Sequence, residues 1–158
     1  MQDFVHLHVH TQYSLLDGQA SVARLVDKAM QNGMKGIAVT DHGNMFGIKE
    51  FTNYVNKKNS GPKGEIKDLK KRLVGIEAGS IECEDKEAEV AACKAKIVEA
   101  ENKLFKPIIG CEMYVARRTM DLKEGKQDQS GYHLIVLAKN ETGYHNLIKL
   151  VSHAWTRG

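Results

Sequence analysis

Residues 36–44 read GIAVTDHGN, a short apolar run that leads directly into four mostly polar residues. The run Gly36 to Thr40 is typical of a buried strand in a parallel sheet, because such strands are apolar on both faces. The C-terminal ends of parallel strands gather at one face of an α/β fold, and active sites form there. The stretch therefore predicts an α/β fold with Asp41 and His42 at its functional edge.

The residues on either side of this strand extend the pattern. Phe4 to His10 alternates between apolar and histidine positions, which predicts a preceding strand with a histidine-lined end. Between the two strands, Ser21 can cap a helix of 3.6-residue period that stops at Gly33. Phe46 to Lys57 has a helical pattern again. The resulting βαβα order favours a parallel sheet or barrel.

Two more strands and a helix are predicted near the end of the chain. The strands are Pro107 to Val115 and Tyr132 to Ala138, and Asn140 caps a last helix that runs through His153. Four strands with helices between them are fewer than a closed barrel needs. Because the chain also shows no natural stop at Gly158, we expect it to be part of a larger domain.

The segment 58–106 interrupts this pattern and is dense in Lys and Glu. Its apolar residues recur at spacings of three and four, which predicts two amphipathic helices that pair as an antiparallel hairpin. A solvated charged linker with partial helix is the alternative, because each apolar seam is short. The seams consist of Ile66, Leu69, Leu73 and Ile76, followed by Val90, Cys93, Ile97, Ala100 and Leu104.

Composition narrows the class of protein. The 158 residues are 42% hydrophobic and 27% charged, as expected of one globular domain. No apolar run is long enough for a membrane helix, and no export signal opens the chain, so a cytoplasmic location is expected. The net charge of +3 does not by itself indicate nucleic-acid binding. Three widely spaced cysteines without a CxxC pair predict ordinary reduced thiols: Cys83, Cys93 and Cys111.

The histidines and carboxylates are the chemically informative residues. In a strand, His8 and His10 face the same way about 6.5 to 7 Å apart, so both imidazoles can reach one cation. This HxH pair alone is weak evidence, because histidines also occupy wet strand edges. The evidence for a metal site is stronger because Asp17 follows the first strand and His42 follows the second.

Two later strands carry further candidate groups. Glu112 lies on the third strand, and His133 lies near the start of the fourth, which would have to enter the sheet near the same face. Carboxylates that converge there would repel one another, and cations relieve that repulsion. Mixed imidazole and carboxylate ligands suit zinc, manganese or iron, and a cluster of this size could hold two or three ions. Such sites hydrolyse phosphate esters.

The motifs HLHVHTQYSLLDG, AVTDHGNMFG, KPIIGCEMYVA and GYHLIVLAKNETGYHNLIKLVS together resemble the PHP domain at the N-terminus of bacterial DNA polymerase III alpha subunits. The resemblance implies a distorted (βα)7 TIM-like barrel. Residues 1–158 would be its N-terminal part, with 58–106 as an inserted helical hairpin. The metal ligands carried over are His8, His10, Asp17, His42, Glu112 and His133.

The resemblance also implies roles for these ligands. His8 and His10 would hold one ion, Asp17 and His42 would serve another, and Glu112 would bridge them. Glu112 and His10 are the candidate catalytic residues. The family also uses a further His and a late Asp-x-His pair, and neither pattern is present in this sequence. We expect the latter pair beyond residue 158.

The resemblance implies a metal-dependent phosphoesterase, either a 3′-5′ exonuclease or a pyrophosphatase, with two or three divalent ions, zinc or manganese. The full protein would be a magnesium-dependent DNA-directed DNA polymerase, a nucleotidyltransferase. Its partners would be DNA, the remaining polymerase domains and other replicase subunits, with no membrane. One alternative is an inactive scaffold that braces the polymerase and binds partner subunits. Another is a free-standing PHP phosphatase, such as histidinol phosphatase.

Several other residues have both a functional and a structural interpretation. His6 could support a ligand or simply pack, and Asp41 could orient a ligand instead of binding metal. Arg117 and Arg118 could hold a phosphate, but a solvated pair is the simpler interpretation. Trp155 is interpreted as a core or interface residue.

Overall fold

The computed structural model describes residues 4–158. Its described residues up to Tyr54, together with Lys106–Gly158, form one compact unit, and Val55–Phe105 form a second. None of the helices in this part of the chain combines the length and apolar character needed to cross a bilayer. The elements are α1 (Val22–Gln31), β1 (Gly36–Val39), α2 (Ile48–Lys58), α3 (Ser60–Glu77), α4 (Lys86–Asn102), β2 (Lys106–Val115), β3 (Tyr132–Leu137) and α5 (Glu141–Arg157).

The strands form a three-stranded sheet in the order β1-β2-β3. β1 and β2 are parallel, whereas β2 and β3 are antiparallel. The prediction of a wholly parallel sheet is therefore wrong for β3. A parallel connection needs a crossover, usually a helix, and only the short 3₁₀ turn Lys126–Asp128 lies between β2 and β3. Residues 4–158 do not show a barrel.

The predicted first strand, Phe4 to His10, is an extended segment without regular strand structure. Its carbonyls at His6 and Val9 accept hydrogen bonds from the amides of Ala38 and Thr40, each 2.9 Å long. From His6 to Val9 this segment advances three residues, whereas the opposite chain advances only two, from Ala38 to Thr40. The extra residue disrupts the ladder as a β-bulge does. In addition, the Val9 amide donates to the Thr40 hydroxyl at 2.9 Å instead of to a carbonyl.

Helix α1 is terminated by a glycine that adopts a left-handed backbone conformation. Gly33 has a φ of 76°, in the left-handed region that glycine adopts at low cost. The Gly33 amide donates to the Met30 carbonyl, and the Met34 amide donates to the Ala29 carbonyl, both at 3.0 Å. This pair of bonds is a Schellman motif. At the other end, Ser21 occupies the N-cap position, but its side chain makes no capping hydrogen bond.

The core of the first unit gathers around β1 and β2. Ala38, Phe51 and Cys111 are fully buried. Cys111 also belongs to a cluster with Leu147 and Val151 of α5. Helix α5 begins as predicted, because the Asn140 side chain accepts a hydrogen bond from the Gly143 amide. Burial of this kind contributes roughly 25 cal/mol per Å² of apolar surface removed from water.

The second unit contains α3 and α4, which contact one another. Of the two predicted seams, Ile76, Cys93, Ile97 and Ala100 are buried and the remaining members are half-buried. The helices run in opposite directions, since Lys103 near the end of α4 lies 3.7 Å from Glu65 near the start of α3. An exposed ion pair such as this one contributes little to stability. The packing of the apolar seams is therefore the main interaction between the two helices.

Asn59 joins the two ends of this second unit. Its Nδ2 donates to the Phe105 carbonyl at 2.8 Å, and its Oδ1 accepts from the Phe105 amide at 2.9 Å. Both residues are buried. A single side chain therefore satisfies a buried donor and a buried acceptor 46 residues away in sequence.

Replacing Asn59 with Ala should lower the stability of the helical unit by about 2 kcal/mol, because both Phe105 main-chain groups would be left buried without partners. Urea unfolding followed by circular dichroism measures this loss. Asn56→Ala is the control, since Asn56 is exposed and its Oδ1 accepts a hydrogen bond from the exposed Lys63. Equal stability of the two variants would contradict the proposed importance of the Asn59 pair.

Candidate metal centre

The six candidate ligands lie on five segments that meet where β1 ends. His8 and His10 are on the extended N-terminal segment, and Asp17 is in the turn that follows it. The other three are placed by the sheet. His42 forms a parallel bridge with Glu112 of β2, and His133 of β3 is directly opposite Tyr114. Antiparallel pairing thus brings the start of β3 to the end of β2, which is how His133 reaches the site.

The side chains form three overlapping groups, and in each group one ligand atom per residue lies within 4.8 Å of the others. His10, His42 and Glu112 each belong to two groups. Groups of three such donors could each hold a metal ion. The groups are His8, His10 and Glu112; His10, Asp17 and His42; and His42, Glu112 and His133.

Glu112 lies at the centre of this arrangement. Its Oε1 accepts a hydrogen bond from His133 Nδ1 at 2.8 Å. Its Oε2 is 2.7 Å from His10 Nε2 and 3.5 Å from His42 Nδ1. The carboxylate is therefore in contact with imidazoles from three separate segments.

Asp17 lies on the more exposed side of the same cluster. Its Oδ2 is 2.9 Å from His42 Nδ1 and 3.2 Å from His10 Nδ1. His42 Nδ1 thus lies between the Asp17 and Glu112 carboxylates. His10 is also shared, since its two nitrogens face the two different acids.

Two atoms of this cluster are buried without a hydrogen-bond partner. They are His10 Nε2 and Glu112 Oε2. Although the two atoms are only 2.7 Å apart, their relative direction does not make a hydrogen bond. Buried polar atoms are rarely left unpaired. An imidazole nitrogen and a carboxylate oxygen that face the same space are ligands suited to zinc or manganese, so these residues fit a bound cation.

The histidines keep both acids in their ionised form. Burial acts to raise the pKa of Glu112, but the His133 hydrogen bond and the His10 charge outweigh it, so this pKa is below its ordinary value. The hydrogen bond with His42 lowers the pKa of Asp17. Ionised carboxylates are the form that coordinates metals.

Comparison with known proteins places the chain in a family. Residues 6–158 match the PHP domain. The chain belongs to the PHP domain family. PHP domains are metal-dependent and of the phosphoesterase type.

Relatives of this PHP domain are DNA polymerase III alpha subunits. The chain is 40% identical over 156 residues to DNA polymerase III subunit alpha of Treponema pallidum, and 38% identical over 158 residues to that of Borreliella burgdorferi. It is 32% identical over 163 residues to the Aquifex aeolicus subunit. These matches cover 98%, 98% and 99% of the chain but 10% of each relative. The chain is thus homologous to the N-terminal region of that subunit.

A buried hydrogen-bond network beside the candidate metal centre contacts His42 in this PHP domain. Asp41 accepts from the Thr11 amide at 2.6 Å, from the Thr11 hydroxyl at 2.8 Å and from the Ser14 hydroxyl at 2.9 Å. Ser14 Oγ in turn accepts from the His42 amide at 3.0 Å. The Asp41 carboxylate therefore holds the turn after the HxH pair, and its hydrogen bond with Ser14 links it to the His42 amide.

Gly18 closes the same turn. A Cβ atom at this position would lie 1.9 Å from the Thr11 carbonyl oxygen, so no larger residue fits without a shift of the backbone. The Gly18 amide donates to the Ser14 carbonyl at 2.7 Å. The close approach of this turn to Thr11 sets the position of Asp17, the preceding residue.

Thr40 orients His8. Its hydroxyl lies 2.9 Å from His8 Nδ1, which leaves Nε2 as the nitrogen available to the centre. Ligand histidines in proteins commonly use one nitrogen for the metal and the other for such a support. Three consecutive residues thus have different roles at this site: Thr40 supports His8, Asp41 holds the turn, and His42 is a candidate ligand.

Tyr114 was missed in the sequence analysis. Its hydroxyl contacts His42 Nε2, and its ring centroid lies 4.9 Å from that of His133. Strand alternation is the signal that could have found it, because Tyr114 is two residues from Glu112 on β2 and so faces the same way. Tyr114 and His133 also line a groove of about 1150 Å³ beside the centre.

The other residues with both a functional and a structural interpretation lie outside the three groups of candidate metal ligands. His6 is exposed and its ring contacts Phe4. Arg118 pairs with Asp128, whereas the Arg117 guanidinium lies 5.4 Å from the Tyr132 ring centroid. Trp155 is 65% exposed, so it is not a core residue.

Replacing Asp41 with Asn should destabilise the domain by about 2 kcal/mol, because an amide NH₂ would face hydroxyls that now donate to a carboxylate. Thermal melting measures this loss. Asp68→Asn, an exposed change on α3, is the control and should melt like the unmodified protein. A melting temperature unchanged by Asp41→Asn would mean that the network does not hold the turn.

Cys111 should be chemically inert in the folded domain. Burial raises its pKa to about 11, so almost no thiolate is present near neutral pH. Cys93 is also buried, whereas Cys83 is partly exposed. Titration with a disulfide reagent at pH 8 should therefore modify one thiol quickly and all three only in denaturant. Rapid reaction of all three without denaturant would contradict this burial.

Proposed function

We propose that His8, His10, Asp17, His42, Glu112 and His133 form the metal centre of a phosphoesterase domain in a replicative DNA polymerase. The observation that carries this proposal is the buried pair of unpartnered atoms, His10 Nε2 and Glu112 Oε2. A buried donor set of this kind is costly without a cation and favourable with one. Membership of a metal-dependent family supports the same proposal.

Two or three divalent ions, zinc or manganese, are the proposed cofactors. The three overlapping groups of donors support this number. Ligand type supports these metals, since imidazole and carboxylate together are less suited to magnesium or calcium. Glu112 would bridge ions, because it belongs to two groups and offers each a carboxylate oxygen.

When bound, such ions lower the pKa of a coordinated water and stabilise negative charge on phosphoryl oxygens. The chain's own residues have the remaining tasks. The carboxylates of Asp17 and Glu112 would supply negative charge to the ions, and the hydrogen bonds with His42 and His133 favour the ionised form of these acids. Thr40 and the Asp41 network fix the imidazole directions.

The proposed reaction is hydrolysis of a phosphodiester or a pyrophosphate, as in a 3′-5′ exonuclease or a pyrophosphatase. The groove next to Tyr114 and His133 is large enough for a nucleotide-sized group, since ligand pockets commonly measure about 300 to 1,000 Å³. Much of its lining is apolar, and Arg117 adds a cationic side chain. A nucleotide offers matching apolar and anionic surfaces.

The wider proposal follows from the relatives. DNA polymerase III subunit alpha is the name of each of the three, so we propose that the full protein is a magnesium-dependent DNA-directed DNA polymerase. DNA, the other polymerase domains and further replicase subunits would be its partners, and the cytoplasm its location. An inactive scaffold has no need for buried unpartnered ligand atoms, which favours the enzyme over that alternative.

We further propose that residues 1–158 are the N-terminal part of a TIM-like (βα)7 PHP barrel and that 58–106 is an insertion in it. The compact unit Val55–Phe105 nearly coincides with that insertion. Separate compactness supports an insertion, because such a unit buries its own apolar seam.

Elemental analysis of the full-length protein tests the metal centre. We expect bound zinc or manganese, and Glu112→Gln should remove most of it, because the change takes away the charge that joins the groups. Hydrolysis of single-stranded DNA and of pyrophosphate should fall by more than the roughly 10- to 100-fold that loss of a ligand's supporting hydrogen bond costs, because Glu112 is itself a proposed ligand. His10→Ala should behave similarly.

His153→Ala is the matched control. His153 is an exposed histidine of α5 outside the three groups, so metal content and hydrolysis should not change. Metal content equal in Glu112→Gln and in the unmodified protein would rule out this centre. Metal bound normally but without hydrolysis of either substrate would favour the scaffold.

A further inference from the structure

Tyr114 occupies an unusual position between the candidate metal centre and the groove. It is 54% exposed, yet its hydroxyl contacts His42 Nε2. Its ring centroid is 4.8 Å from that of His42 and 4.9 Å from that of His133. A tyrosine in this position touches two of the six candidate ligands.

The two nitrogens of His42 face different partners. Nδ1 faces the carboxylates, at 2.9 Å from Asp17 and 3.5 Å from Glu112. Nε2 contacts the Tyr114 hydroxyl. Nδ1 is therefore the nitrogen that His42 can offer to a cation held by the two acids.

A histidine ligand must present an unprotonated nitrogen to a metal. With Nδ1 so used, a neutral His42 carries its proton on Nε2 and needs an acceptor there. The Tyr114 hydroxyl can accept that hydrogen bond, and it can also donate when Nε2 is unprotonated. Tyrosine is thus compatible with both tautomers, whereas phenylalanine can serve neither.

Steric contacts hold the tyrosine in place. A Cβ added at Gly43 would lie 3.7 Å from the Tyr114 ring, so the residue after His42 lies close to the same ring. On the β3 side, direct pairing with His133 limits the movement of the Tyr114 backbone. The Tyr114 ring therefore starts from a main-chain position paired with His133 and lies beside the rings of His42 and His133.

We propose that Tyr114 is a positioning residue that holds the ring direction of His42 by its contact with Nε2 and so directs Nδ1 to the metal. This inference rests on the proposed metal centre and assigns a residue that supports it. Supports of this kind change metal affinity by about 10- to 100-fold when they are removed. Tyr114 does not itself need to touch the metal.

Tyr114→Phe tests the proposal, because it removes the hydroxyl and keeps the ring. The experiment uses the full-length protein and measures Zn²⁺ and Co²⁺ affinity by competition with a chelating dye. Affinity should fall about 10- to 100-fold. The d–d absorption spectrum of bound Co²⁺ should also shift, since this spectrum reports ligand geometry and a purely structural role would leave it unchanged.

Tyr132→Phe is the matched control. Tyr132 lies at the start of β3, and its ring faces Arg117 rather than the metal centre. It should bind both metals like the unmodified protein. His42→Ala identifies the part of the Co²⁺ spectrum that depends on His42, and Tyr114→Phe should alter that same part.

The outcomes separate the two proposals. Unchanged affinity and spectrum in Tyr114→Phe, with normal binding by the unmodified protein, would overturn this inference alone. An unmodified protein that binds neither metal would overturn the metal centre and this inference together. A Tyr114→Phe protein that fails to fold in the metal-free state would show a structural role and would also overturn the inference.

Discussion

Parallel pairing that continues past the end of β1 is the constraint on which the site depends. The Glu112 amide donates to the Asp41 carbonyl at 3.1 Å, and the Gly43 amide donates to the Glu112 carbonyl at 2.9 Å. These two bonds place His42 beside Glu112. Because side chains alternate along a strand, a slip of one residue would turn Glu112 to the opposite face and separate it from every histidine.

Residues 40–42 connect this strand pairing to the other candidate ligands. The Thr40 hydroxyl supports His8, and the Asp41 carboxylate holds the turn that carries Asp17. Asp41 is almost completely buried, so its three hydrogen bonds compensate for the loss of water around a charge. The site is therefore rigid where it is buried and more open on the side of Asp17, Tyr114 and His133.

Much of this could be predicted from the sequence. β1 and β2, and helices α1 and α5, follow from apolar periodicity and from end signals such as Gly33 and Asn140, because these signals act over a few residues. The six candidate ligands also came from local motifs, and the structure brings all six together. Their binding of metal remains a proposal.

The sequence by itself determined which segments carry apolar faces and which residues carry metal-binding chemistry, because both are properties of side chains and their spacing. Only the tertiary structure decided that the HxH segment contains an extra residue against β1 and that β3 is antiparallel. It also decided that Tyr114 contacts His42. Each of these depends on contacts between residues at least 17 positions apart, and no local spacing records such pairings.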